Sequence, residues 1–220
     1  MSLPSSPRGG LPPDDVLKHR VKAEIRKRLR GLRKTIPSSA CADRSARLVE
    51  RLEELPAVRT ARNVALFWPI EERHEVDLRP LDARLRARGA RVSYPTIVAT
   101  GGMVFQRVAD TAAMQEHPLG FLAPEGGTPE TDFDIIVVPA IAIDPTGHRI
   151  GYGAGHYDRF LATAGAAVTI GVAFDFQLIP EVPAAAHDVA VQWIVTDRRT
   201  LRASSDAALF VPPNDGAAGS

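Results

Sequence analysis

One junction constrains the fold more than any other part of the chain. Residues 134–143 carry Ile135, Ile136, Val137, Val138, Ile141 and Ile143, then run into a loop holding Gly147, Gly151, Gly153 and Gly155, then into a helical segment from about His156 to Ala164. A strand with apolar residues at consecutive positions must be covered on both faces. Feeding it into a helix through a glycine-rich turn builds an α/β layer, a mostly parallel sheet flanked by helices. Alternating glycines let backbone N–H groups converge without side-chain obstruction. The helix that follows adds free N–H groups and the positive end of its dipole. A loop after a strand's carboxyl end is also where open α/β sheets bind ligands.

Phosphate suits such a loop, but the spacing is neither that of a Walker loop nor that of the dinucleotide fingerprint. On glycine spacing alone a flexible turn and a phosphate cradle fit equally. Two residues favour the cradle. Arg149 can neutralise phosphate, and Asp158 can share Mg2+ with phosphate oxygens. An Asp in a first helical turn also serves as a plain dipole partner.

The remaining elements repeat the alternation of strand and helix. Val21, Ile25, Leu29, Leu32 and Ile36 recur at helical spacing and predict a helix from Lys18 to Thr35 with an apolar stripe. Pro37 ends it, and Ser38 or Ser39 can cap a second helix carrying Leu48, Leu52 and Leu55. Val64–Trp68 reads as a buried strand, and Asp77 to Arg88 as a helix with Asp77 as N-cap and Gly89 as stop. Short strands follow at Arg91–Tyr94, Met103–Val108, Val168–Phe174 and Trp193–Thr196. Residues 1–15 and 203–220 are expected to be loose tails around one α/β domain spanning 16–202.

Charge enters because it is uneven. The formal net charge is +1, yet Lys18 to Lys34 holds nine basic residues against one acid, Glu24. Such a patch seeks an anionic partner. Lys22 and Arg26 are four apart and share a helix face beside the apolar stripe. A merely solvated face is the plainer reading of both. Nucleic acid is disfavoured, since the segment has no aromatic residue to interleave. No apolar run is long enough for a membrane span or a secretory leader. The single cysteine, Cys41, excludes an internal disulfide and fits a reducing, cytoplasmic setting; we read it as a packing residue. His74, His117 and His148 are expected at the surface, and His187 in a structural role.

The loop also carries a resemblance. Arg149-Ile-Gly-Tyr-Gly-Ala-Gly-His-Tyr-Asp-Arg-Phe-Leu161 closely resembles the signature loop of 5-formyltetrahydrofolate cyclo-ligases. Lys22-Ala-Glu-Ile-Arg26, Glu75-Val-Asp77, Pro118-Leu-Gly-Phe-Leu-Ala-Pro124 and His187-Asp188 are similar to further segments of that family, in the same order. The resemblance implies a fold similar to that of ribose-phosphate isomerases and CoA transferases. It implies an ATP- and Mg2+-dependent enzyme that closes 5-formyltetrahydrofolate to 5,10-methenyltetrahydrofolate with release of ADP and phosphate; a monomer is expected, though nothing in the sequence fixes the oligomeric state. It places Lys22, Arg26, Arg149, Ile150, Gly151, Tyr152, Gly153, Ala154, Gly155, His156 and Tyr157 against ATP. Glu75, Tyr152 and His156, with Phe67 and Trp68 packing on the flat ring, would hold the folate. Asp158 and Asp188 would bind the metal, and Arg149 and Tyr157 would assist the chemistry.

Three positions depart from the family pattern. Ala154 stands where many members have Lys, Gln192 where a second late acid is common, and His156 where Tyr is common. Two other readings stay open: a sugar-phosphate isomerase or transferase of similar fold, and a non-catalytic folate- or nucleotide-binding protein.

Overall fold

The structure, a computed structural model, describes residues 13–127 and 129–204. The expected tails therefore lie mostly outside the described residues. Within them, Pro13–Asp15 already belong to the first helix, and Ala203 hydrogen-bonds back to the carbonyl of Gln192 at 2.9 Å.

In chain order the elements are α1 (Pro13–Thr35), α2 (Ser38–Glu54), α3 (Pro56–Thr60), β1 (Asn63–Ala65), α4 (Arg79–Ala87), β2 (Arg91–Ile97) and β3 (Met103–Arg107). Three two-residue strands follow, β4 (Gln115–Glu116), β5 (Leu122–Ala123) and β6 (Pro129–Glu130). Then come β7 (Ile135–Pro139), β8 (Ala142–Ile143), β9 (Arg149–Ile150), α5 (His156–Leu161), β10 (Val168–Val172), β11 (Trp193–Val195) and β12 (Thr200–Arg202). Eight strands form one sheet in the order β12-β11-β10-β7-β1-β2-β3-β6. β11, β10, β7, β1 and β2 run parallel to their neighbours, while β12, β3 and β6 close the edges antiparallel. This is the mostly parallel, helix-flanked α/β architecture expected from sequence. No helix among the described residues is long and apolar enough to cross a membrane.

The strands are buried on both faces, and their alternation divides the core. Val64, Leu66, Ile135, Val137, Ile170 and Val172 pack with Leu48, Leu52, Leu81 and Leu85 of α2 and α4. Ala65, Ile136, Val138 and Ile194 pack on the other face with Phe105 of β3 and Leu161 of α5. A third, small cluster joins Leu29 to Ala142 and Ile150, which seats α1 on the hairpin of β8 and β9. From β1 the chain proceeds through β2 and β3 to one side of the sheet, and from β7 through β10 and β11 to the other. The β1–β7 junction is thus a topological switch point, the place where parallel sheets open a ligand cleft at their carboxyl ends.

The apolar stripe of α1 is only partly buried: Leu29 is 7% exposed, but Val21 is 39% and Leu32 46% exposed. α1 rests on a narrow hairpin rather than on the sheet, so only the middle of its stripe finds cover. Several expectations need correction. The first strand ends at Ala65 instead of Trp68, because the chain leaves the sheet there to line a cavity. The long apolar run does not form one strand. β7 stops at Pro139, and β8 turns away to pair with β9 in a separate two-stranded sheet. Pro37, not a serine, occupies the N-cap of α2 and offers no side-chain bond. Leu78 is the N-cap of α4, while Asp77 acts one residue earlier, accepting the Arg79 N–H at 2.9 Å. α5 ends at Leu161, after which Thr163 and Ala164 continue in tight turns. His74, His117 and His148 are half-buried rather than on the surface. Cys41 is buried in the core, as expected.

Candidate active site

A cavity of about 510 Å³ opens where β1, β2 and β7 end. Phe67 and Trp68 reach it just beyond β1, Pro95 and Ile97 from the end of β2, and Pro139 from the end of β7. α1 contributes Lys22, Arg26 and Arg30, and the loop contributes every residue from Arg149 to Asp158. The sequence-predicted residues are therefore brought together around one space, with Glu75 and Asp188 also on its lining.

The loop is held in shape by its glycines and by α1. Gly147 has φ +86°, and a Cβ there would lie 2.2 Å from the Val191 carbonyl oxygen, so no side chain is tolerated. Gly153 has φ +102°, and a Cβ there would meet the Arg26 guanidinium at 3.5 Å. Arg26 lies against the loop because its Nε donates to the Gly151 carbonyl at 2.8 Å. Burial, then repulsion from Arg30, lowers the pKa of Arg26. A guanidinium pressed on glycine backbone and lacking a carboxylate partner among the described residues is a ready counter-charge for a bound anion.

The two candidate metal ligands are each anchored. Asp158 Oδ1 accepts from Arg149 Nη2 at 3.0 Å and from the Val189 N–H at 3.2 Å. Asp188 Oδ2 pairs with Lys22 and accepts the Ala185 N–H at 2.7 Å. Burial opposes the charge on Asp188, but that N–H and the Lys22 ammonium together hold its carboxyl below the ordinary value. His187 lies on the cavity with its side chain 79% exposed, so it is not the structural histidine expected. No group of three or more His, Cys, Asp or Glu suited to a metal ion occurs among the described residues. The donor set is not a protein-only cage. It does fit magnesium, which takes one or two carboxylates and fills its remaining positions with phosphate oxygens and water. Asp158 Oδ2 carries neither of that residue's two bonds and is the oxygen left for such a role.

Arg149 is turned inward. Its side chain is 4% exposed, and its guanidinium is given to Asp158 and to the Val189 carbonyl. Burial lowers its pKa, against the pull of Asp158. It braces the loop more than it offers charge to a ligand. Burial, reinforced by the negative charge of Glu75, raises the pKa of Tyr157. Its phenol stays protonated at neutral pH and can donate but not act as a base. His156 is held below its ordinary pKa by burial and then by Arg159, whose Nη2 lies 3.0 Å from its Nδ1.

Glu75 is buried at 8% exposure beside Tyr152. Its Oε2 accepts the Ile70 N–H at 3.0 Å, and its Oε1 accepts the Tyr152 hydroxyl, which in turn accepts from Arg33 Nη2 at 3.1 Å. The Tyr152 ring has the guanidinium of Arg73 at 4.8 Å and that of Arg30 at 5.7 Å. Trp68 meets Tyr94 edge-on at 5.6 Å, which fixes its indole at the cavity. Sequence reasoning missed Arg30, Arg33 and Arg73. The first two continue the row of Lys22 and Arg26 at helical spacing, a signal that was available. Arg73, in the short turn Glu71–Arg73, left no such pattern.

Residues 18–197 match the model of the 5-formyltetrahydrofolate cyclo-ligase family. The chain is 29% identical over 154 residues to the 5-formyltetrahydrofolate cyclo-ligase of Escherichia coli K12, an alignment covering 66% of this chain and 84% of that protein. It is 48% identical over 69 residues to the enzyme of the same name from Mycolicibacterium smegmatis, covering 31% of this chain and 36% of that one. The fold superposes on a 5,10-methenyltetrahydrofolate synthetase from Aquifex aeolicus with a TM-score of 0.73 at 29% identity, covering 83% of this chain and 92% of that one. A synthetase from Mycoplasma pneumoniae shares the fold at a TM-score of 0.65 and 20% identity, covering 80% of this chain and 98% of that one.

Proposed function

This chain belongs to the 5-formyltetrahydrofolate cyclo-ligase family, whose reaction closes 5-formyltetrahydrofolate to 5,10-methenyltetrahydrofolate, and we propose that it drives this ring closure with ATP and Mg2+. The reading rests above all on one observation. A cationic helix and a glycine loop border the same cavity as a buried carboxylate and two aromatic side chains, Phe67 and Trp68. A polyanion and a flat heterocycle are thereby offered adjoining places.

In this reading the triphosphate lies between Lys22 and Arg26 on one side and the backbone of Gly151 to Gly155 on the other. Ile150, Ala154, His156 and Tyr157 complete that contact. The pterin ring gives its N–H groups to Glu75, a buried carboxylate and hence a strong acceptor, and packs on Phe67 and Trp68. Tyr152 and His156 border both substrates. Asp158 and Asp188 would hold Mg2+, which neutralises phosphate charge when bound.

The chemistry follows from the substrate. A formyl group on nitrogen is amide-like and a poor electrophile. Its oxygen attacks the γ-phosphorus, and ADP leaves. N10 of the folate then attacks the activated carbon and loses its proton, and inorganic phosphate departs with the former formyl oxygen. The protein's part is to align these atoms and stabilise charge as it develops. Neutral Tyr157 serves as a hydrogen-bond donor and Arg149 as the brace that keeps Asp158 in place. We take the enzyme to act as a cytoplasmic monomer, with its one cysteine reduced and buried.

The test is to mix purified protein with 5-formyltetrahydrofolate and MgATP and follow the near-ultraviolet absorbance of the methenyl product. Product that depends on both ATP and magnesium is expected. Tight folate binding without product would instead indicate a binding protein. ATP-independent turnover of a sugar phosphate would indicate an isomerase or transferase.

A further inference from the structure

Arg33 lies eleven residues beyond Lys22 on α1, about 16 Å along the helix axis. It does not line the cavity, yet it is only 4% exposed. Its guanidinium is spent on the Tyr152 hydroxyl, which donates in turn to Glu75. Burial and the adjacent Glu75 charge raise the pKa of Tyr152, so the phenol keeps its single proton and directs it at the carboxylate. Cation, phenol and carboxylate thus form a polarised chain in which each bond strengthens the next.

Glu75 needs such support because its backbone is irregular. It follows His74, whose φ of 49° ends the short turn Glu71–Arg73 in the left-handed region. No helix or strand holds it. The same turn is tied to α1 a second time, since His74 Nδ1 lies 3.2 Å from the Arg33 carbonyl oxygen. The end of α1 therefore grips this turn through both the backbone and the side chain of one residue.

We propose that Arg33 is a positioning residue for folate recognition: acting through Tyr152, it fixes the Glu75 carboxylate in the orientation that receives the ring N–H groups. It sets folate affinity without touching folate. This rests on the assignment of Glu75 to the pterin made above.

The test is a double-mutant cycle on 5-formyltetrahydrofolate affinity, read from tryptophan fluorescence without ATP, together with the KM for ATP. Arg33→Met and Tyr152→Phe should each weaken folate binding about tenfold, the scale of one charge-assisted hydrogen bond, and Arg33→Met, at a residue off the cavity, should leave the ATP KM within about twofold of wild type. The double variant should bind no more weakly than the poorer single one, since both remove the same relay. Arg33→Lys should recover most of the affinity. Losses that multiply in the double variant would overturn the inference, as would an equal rise in the ATP KM of Arg33→Met. Should Arg33→Met fail to fold, Arg33→Gln, which keeps a donor but loses the charge, takes its place, and folate affinity equal to wild type in both Arg33→Gln and Tyr152→Phe would refute the relay. Glu75→Gln separates the two layers of the argument. If it binds folate normally, the pterin assignment fails and the relay with it. If it weakens binding while Arg33→Met and Tyr152→Phe do not, only the relay fails.

Discussion

Replacing Asp158 by alanine removes one acceptor that serves two donors, Arg149 Nη2 at 3.0 Å and the Val189 N–H at 3.2 Å. The guanidinium left behind belongs to a side chain only 4% exposed, while that of Asp158 is 23% exposed. Breaking a buried ion pair from one side costs about 3–5 kcal/mol. Water reaches Asp158 and screens part of that charge, so a loss of about 2–3 kcal/mol is expected. In a domain of this size each kcal/mol moves the Tm by about 2–4 °C, which gives a fall of about 4–12 °C. Asp158→Asn keeps an oxygen for both donors and loses only charge, so its Tm should fall by less than half as much. Both variants should lose MgATP-dependent turnover, because neither keeps the carboxylate that magnesium takes alongside phosphate oxygens. The assay is thermal unfolding with and without MgATP, since a ligand at about a hundred times its Kd adds about 2.7 kcal/mol. An alanine variant as stable as wild type would refute the claim that Asp158 pins Arg149. An asparagine variant with the wild-type shift on adding MgATP would remove Asp158 from the metal site.

Three further outcomes follow from the site. Glu75→Ala should raise the folate KM about 10- to 100-fold and leave the ATP KM nearly unchanged; steady-state kinetics with each substrate varied would show equal effects if the pterin assignment were wrong. Ala154→Lys adds a cation at an exposed loop position facing the cavity, and should tighten ATP binding about 3- to 10-fold at low salt, with the gain shrinking as salt rises. Unchanged affinity in a titration would mean that Arg26 already supplies the needed charge. The Ala185 N–H and the Lys22 ammonium hold the Asp188 carboxyl below its ordinary value in the folded protein. Its contribution to stability is therefore present at pH values above the ordinary carboxylate range and is lost as pH falls through the folded value. The Tm gap between wild type and Asp188→Asn should close on acidification, and a gap that widens would contradict the Lys22 pairing.

The path from the apolar run through the glycines to the helix was legible because each part has its own residue code. So was the pairing of Lys22 with Arg26, fixed by helical spacing. The break after Pro139 was not legible. Ile141 and Ile143 are as apolar as the residues of β7, and a segment buried on both faces does not record where it leaves one sheet for another. The inward turn of Arg149 was hidden for a similar reason: an arginine beside a glycine loop reads the same whether it faces phosphate or Asp158. Phe67 and Trp68 looked like strand residues until β1 proved to be three residues long. The exposure of Val21 and Leu32 depends on what α1 packs against, and that is a long-range fact absent from local spacing.

The central claim is that this cavity brings the γ-phosphorus of ATP against the formyl oxygen of the folate. Isotope tracing tests it directly: supply 5-formyltetrahydrofolate labelled with heavy oxygen in the formyl group, together with MgATP and the enzyme, and weigh the inorganic phosphate released. The account predicts one heavy oxygen in each phosphate formed. Methenyl product accompanied by unlabelled phosphate would contradict it.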